Sequence, residues 1–141
     1  SLNENIYGNN AIKYILLKYN NYLNNSNIIS FKEFNDLQVE HIFPQGSDKG
    51  VTFDITSYGF IDNEDYEYTK DTIGNLTLLE KNLNAGKDVS DLTPDEKVAG
   101  YLKSKVIETN LLAGKIDKDG FDKSNIENRT NEIIDFCLEN F

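Results

Sequence analysis

The only histidine of the chain, His41, stands in the stretch Val39-Glu40-His41-Ile42-Phe43-Pro44-Gln45. A neutral imidazole takes a proton from water near neutral pH. The carboxylate beside it, Glu40, is a hard oxygen ligand for a divalent cation. Further on, residues 73–87 are rich in amide side chains, among them Asn75, Asn82 and Asn84. An Asn carbonyl oxygen can bind a metal, and an Asn can also tie a loop by bonding backbone groups. Lys87 follows Asn84 on roughly the same helical face and suits a phosphate. A base for water, oxygens for a cation and a positive charge for phosphate are what metal-assisted phosphodiester hydrolysis requires. The metal stabilises the developing charge by several kcal/mol, and a positioned base adds about 10²–10⁴-fold.

These groups work together only if the fold brings the two stretches to one place. Val39 ends a short apolar run that reads as a strand, stopped by Pro44. Adjacent residues in a strand point to opposite faces, and ending the strand at Pro44 is expected to let Glu40 and His41 approach one site. Residues 75–79 read as a second strand and 80–87 as a short helix that carries Asn84 across to Glu40. The imidazole of His41 is expected to be left free to deprotonate solvent.

Around this core, Ile12, Ile15, Leu16, Tyr19 and Leu23 have helical spacing, ended by an Asn- and Tyr-rich turn. Phe31, Phe34 and Leu37 are expected to pack beneath the first strand. Residues 46–70 read as a long loop with a structured piece near 51–55, and loops of this length inside a domain are often functional. Its aromatics Tyr58, Phe60, Tyr66 and Tyr68 either pack the loop or stack on bases. Thr93, Pro94 and Glu96 form a helix start with a capping box, and that helix is expected to run to about Lys105. Residues 114–124 read as a charged loop. Ser124 and Glu127 offer another capping box, followed by an apolar stripe over Ile126, Thr130, Ile133, Ile134, Cys137, Leu138 and Phe141. The class is α+β, mostly helical, with one small two-stranded antiparallel sheet.

The length suits one domain, 1–141, with a real core. The chain opens on Ser1 and contains no Met. It therefore reads as a domain excised from a longer protein, with residues of a tag at its start. No apolar run is long enough for a bilayer and no signal peptide is present. With one cysteine, Cys137, no internal disulfide can form, which fits a cytoplasmic location. The formal net charge is −10, from 14 basic and 24 acidic residues. Proteins that bind nucleic acid normally present a basic face. DNA binding by this segment alone is therefore weak, and affinity must come from another domain or from a metal.

The two stretches resemble the HNH, or ββα-metal, nuclease motif. More closely, the chain resembles the C-terminal His-x-x-Pro nuclease domain of GmrSD-type modification-dependent restriction enzymes. The resemblance rests on Glu40-His41-Ile42-Phe43-Pro44-Gln45, on Gly74-Asn75-Leu76-Thr77-Leu78-Leu79 and on Asn84. Residues 11–17 and 126–141, with Glu127-Asn128-Arg129-Thr130, extend it to the flanking helices. It implies that His41 is the general base, Glu40 a metal ligand, Asn75 the brace that aims His41, and Asn84 the last metal ligand, with Asn82 a rival. No second histidine is present, so an oxygen-rich site for Mg²⁺ or Mn²⁺ is expected rather than zinc. The implied function is a DNA endonuclease of a bacterial restriction or phage-defence protein, which leaves a 5′ phosphate and a 3′ hydroxyl. The implied partner is an N-terminal NTPase-like or specificity domain. A catalytically inactive HNH-like binding or regulatory module is the alternative. Lys87 and Arg129 are candidate substrate contacts. Arg129, the only arginine, fits an ion pair on the closing helix better than catalysis.

Overall fold

The computed structural model describes residues 10–25, 29–83 and 92–141. Helix α1 (Asn10–Leu23) leads to a short helix α2 (Phe31–Asn35) and strand β1 (Leu37–His41). A 3₁₀ turn (Ile55–Tyr58) and helix α3 (Asn63–Thr69) precede strand β2 (Leu76–Glu80). Helices α4 (Pro94–Tyr101), α5 (Ile107–Asp119) and α6 (Lys123–Asn140) complete the order. The strands pair antiparallel as a two-stranded sheet, Leu37 opposite Glu80 and His41 opposite Leu76. The fold is thus mostly helical α+β around one small sheet.

Strand alternation divides the core. On one face Leu37, Leu76 and Leu78 pack with Ile12, Leu16 and Tyr19 of α1 and with Ile133 and Phe136 of α6. On the other, Leu79 joins Tyr101, Leu112, Ala113 and Ile116 of α4 and α5. Phe43, just past β1, extends this second cluster into the loop that follows. Its ring meets Phe60 and Tyr58 at 5.1 Å centroid distances, edge-on in both cases. The loop aromatics are therefore packed, with the exception of Tyr68, which is exposed.

Several boundaries differ from those expected. Ser30 and Glu33 form a capping box that starts α2, in a stretch that had no clear reading. Residues 46–70 hold α3, whose N-cap is Asp62. Asn75 belongs to a 3₁₀ turn, Ile73–Asn75, rather than to β2. The Thr93–Glu96 capping box starts α4 as expected, but the helix stops at Tyr101.

The expected charged loop at 114–124 is largely helix. Helix α5 runs to Asp119 because Leu112, Ala113 and Ile116 bury one side of it, while Gly114 lies on its open side, where a Cβ would meet nothing within 4 Å. Gly120 ends it with φ +75°. The start of α6 is capped by Asp122 with Asn125, two residues earlier than expected. Its buried line is Ile126, Arg129, Thr130, Ile133 and Phe136, while Leu138 and Phe141 are exposed. The stripe falls one position from that expected, because Arg129 occupies the inner side.

Candidate active site

The chain after β1 is held by a single carboxamide. Asn75 is fully buried, at 0% exposure. Its Oδ1 accepts from the Phe43 N–H at 2.8 Å, and its Nδ2 donates to the Phe43 carbonyl at 2.9 Å and the Lys70 carbonyl at 2.7 Å. Its own carbonyl accepts from Ile42 N–H at 2.8 Å. Tyr66 donates its hydroxyl to the Pro44 carbonyl. Phe43 lies two residues after His41, and Lys70 directly precedes Asp71. One amide therefore fixes both segments that carry the pair described next.

His41 Nε2 lies 3.0 Å from Asp71 Oδ1. Asp71 was not among the residues singled out from sequence. That hydrogen bond is the leading cause that holds the Asp71 carboxyl below the usual aspartate range, against the opposing effect of burial. The imidazole is 6% exposed, in place of the solvent-facing ring expected. Asp71 is partly exposed, at 31% of its side chain, so the pair sits just beneath the surface. An aspartate on one ring nitrogen fixes the orientation of the imidazole.

The Asn75 turn is itself anchored by α6. Arg129 NH1 donates to the carbonyls of Gly74 at 2.9 Å and Leu76 at 2.6 Å, on either side of Asn75. Its NH2 pairs with Glu108 of α5 at 2.6 Å. Glu108 also accepts from the Thr77 hydroxyl at 3.1 Å. The guanidinium is thus committed to an internal ion pair and to backbone, the ion-pair reading of Arg129, and a phosphate would have to displace these partners. Gly74 gives α6 its close approach. A Cβ there would lie 2.0 Å from the Ile126 carbonyl oxygen and 2.3 Å from Thr130 Oγ1.

Glu40 turns to the opposite face from His41. β1 runs through His41, so the alternation expected to relax is retained. The carboxylate is buried, accepts from the Tyr101 hydroxyl at 2.8 Å and pairs with Lys97 Nζ at 3.1 Å. Lys97 also donates to the His41 backbone carbonyl at 2.5 Å. Burial pushes the Lys97 ammonium below the ordinary lysine range, with Glu40 opposing. Burial, reinforced by Glu40, pushes the Tyr101 hydroxyl well up, so it remains a donor. Glu40 and His41 side chains therefore do not converge; Lys97 joins the Glu40 carboxylate to the His41 backbone carbonyl.

Asn84 and Lys87 lie outside the described residues, as does the second half of the short helix expected at 80–87; in its first half Glu80 ends β2 and residues 81–83 form a turn instead of a helix. Asn82, the rival of Asn84, is exposed. Among the described residues no group of three or more His, Cys, Asp or Glu stands together as a metal site. Glu40 Oε2 and the His41 backbone carbonyl are both engaged by the Lys97 ammonium, which fills the position beside the one described candidate ligand.

Among the described residues no helix is long and apolar enough to cross a membrane. No curated protein and no solved structure matches the chain. A family match runs over residues 1–136, from α1 through both strands and the Asn75 clamp into the last turns of α6. The chain belongs to the family of the C-terminal domain of GmrSD restriction endonucleases, a nuclease-related module.

Proposed function

We propose that the chain is a metal-dependent DNA endonuclease domain of the HNH type, with His41 as general base. The observation that carries this reading is the Asn75 clamp, which ties Phe43 and Lys70 and so presents His41 beside Asp71. With Asp71 orienting the ring, His41 takes a proton from the attacking water. The bond from phosphorus to the 3′ oxygen breaks, leaving a 5′ phosphate and a 3′ hydroxyl. Glu40 and, from the undescribed segment, Asn84 would hold Mg²⁺ or Mn²⁺, which when bound supplies charge stabilisation at the phosphate. Lys87 is a candidate phosphate contact, with a solvated surface lysine as its alternative.

The net charge of −10 disfavours the phosphate contacts that dominate DNA affinity. An N-terminal NTPase-like or specificity domain in a cytoplasmic restriction protein would supply them and choose the target. Supercoiled plasmid with Mn²⁺ tests the reading: wild type nicks it at high concentration and His41→Ala does not. Equal residual nicking by both removes His41 from the chemistry. No nicking by either, with no thermal shift on adding Mn²⁺, would select the catalytically silent binding or regulatory module, which the Glu40–Lys97 ion pair favours.

A further inference from the structure

His41 ends a strand whose sheet has two members among the described residues, so the outer side of β1 faces no further strand. Backbone groups alternate sides along a strand, and the Ile42 N–H points across to the Asn75 carbonyl. His41, its neighbour, therefore turns its own carbonyl to the outer edge. The residue is 6% exposed, and a buried carbonyl needs a donor. The donor is the Lys97 ammonium of α4, at 2.5 Å. The same ammonium lies 3.1 Å from Glu40 Oε2, which also accepts from the Tyr101 hydroxyl at 2.8 Å. Lys97 and Tyr101 share one face of α4, whose first turn is fixed by the Thr93–Glu96 capping box.

A charged donor is a costly way to satisfy one edge carbonyl, because burying an ammonium forfeits its hydration. The chain uses the device twice. Arg129, paired with Glu108, donates to the carbonyls of Gly74 and Leu76 that flank Asn75. Lys97, paired with Glu40, donates to the carbonyl of His41. In both cases a buried carboxylate aims a cation at the backbone of a segment that carries the site. Charge-assisted hydrogen bonds are about twice as strong as neutral ones, so each holds its peptide more firmly than an amide would. His41 is thereby held at three places: its carbonyl by Lys97, its ring by Asp71, and the peptide two residues on by Asn75.

We propose that Lys97 is a positioning residue for His41, anchoring the peptide from which the imidazole projects. Glu40 takes part through its pair with Lys97. The consequence for cleavage rests on His41 as general base, but the anchoring is testable by itself. The chain has one histidine, so the ring gives a single set of ¹H–¹³C signals, recorded without DNA or metal. Lys97→Met alone leaves Glu40 buried and unpaired, which can unfold the chain for that reason. Glu40→Gln/Lys97→Met removes both charges and keeps an acceptor for Tyr101. In it the ring signals should shift and broaden, and the backbone order parameter of His41 should fall from the ~0.85 of rigid backbone toward about 0.6. Ile133, in the core under α6, should keep its wild-type value. A ring and an order parameter equal to wild type in the folded double variant would overturn the anchoring.

Plasmid nicking with Mn²⁺ supplies the second measurement. Folded Lys97→Met should lower kcat about 10–100-fold at unchanged KM. Lys97→Arg, which keeps a charged donor, should recover part of the rate. A loss confined to KM, or no loss, in folded Lys97→Met would overturn the positioning role. If His41→Ala nicks as wild type does while the double variant loosens the ring, the base reading falls and the anchoring stands.

Discussion

Truncation of Asn75 is the perturbation whose cost follows most directly from the geometry. Asn75→Ala removes a carboxamide at 0% exposure that makes three hydrogen bonds, at 2.8, 2.9 and 2.7 Å, to backbone groups of Phe43 and Lys70. Each buried group left without a partner costs about 1–3 kcal/mol. A water entering the vacated space would restore part of this, so the expected loss is about 3–5 kcal/mol, a large share of the ~5–15 kcal/mol that small domains possess. With urea m-values of about 1–3 kcal/mol/M, the midpoint should fall by about 2 M at an unchanged slope. Asn75→Asp sharpens the test. It keeps the acceptor for the Phe43 N–H but turns the donor aimed at two carbonyls into an oxygen. It should therefore be at least as damaging as alanine at neutral pH. An Asn75→Ala loss below about 1 kcal/mol, or an aspartate variant of wild-type stability, would show that the amide does not hold the loop.

The surrounding supports carry their own expectations. Arg129→Ala should cost about 3–5 kcal/mol by urea denaturation, because Glu108 is left as an uncompensated buried charge, and Arg129→Lys should recover only part of it. Gly74→Ala should destabilise by about 1–3 kcal/mol or more, since its Cβ would meet α6 backbone 2.0 Å away. Wild-type stability in that variant would mean that α6 does not press on the turn. Asp71→Ala should lower kcat about 10–100-fold with little change in KM, as loss of a group that orients a histidine does. The Asp71 carboxyl is held below its ordinary range in the folded chain. Its stabilising contribution is therefore present above that range and lost as pH falls through the folded value. The stability gap between wild type and Asp71→Asn should accordingly narrow between about pH 5 and pH 2. A gap that widened on acidification would contradict the pairing.

What could be read in the sequence was what is encoded locally. The Thr93–Glu96 capping box marked the start of α4 because its signal lies within one turn. The two strands were legible as short apolar runs, and their antiparallel pairing was implied by the resemblance to the HNH motif. The rest depends on distant partners. Helix α5 lacks a capping side chain of its own. Asn20 of α1, 88 residues away, accepts from the Glu108 N–H in its first turn at 2.9 Å. Without that information, Gly114 and the charged run after it read as loop. Asp71 was hidden for the same reason, since nothing near it in sequence points to a histidine 30 residues earlier. Lys97 drew no reading from the sequence, and only its contacts with Glu40 and the His41 carbonyl reveal it. Arg129 did carry a signal: it is the only arginine and lies among Ile126, Thr130 and Ile133, the apolar side of α6.

The central claim is that the imidazole at position 41 acts as the base in phosphodiester cleavage. Replacing it by glycine and supplying free imidazole tests this most directly, with Mn²⁺-dependent nicking of supercoiled plasmid as the readout. His41→Gly should be slower than wild type by about 10²–10⁴-fold and should regain part of the rate as imidazole is added. A glycine variant that nicks as fast as wild type, with or without imidazole, would contradict the claim.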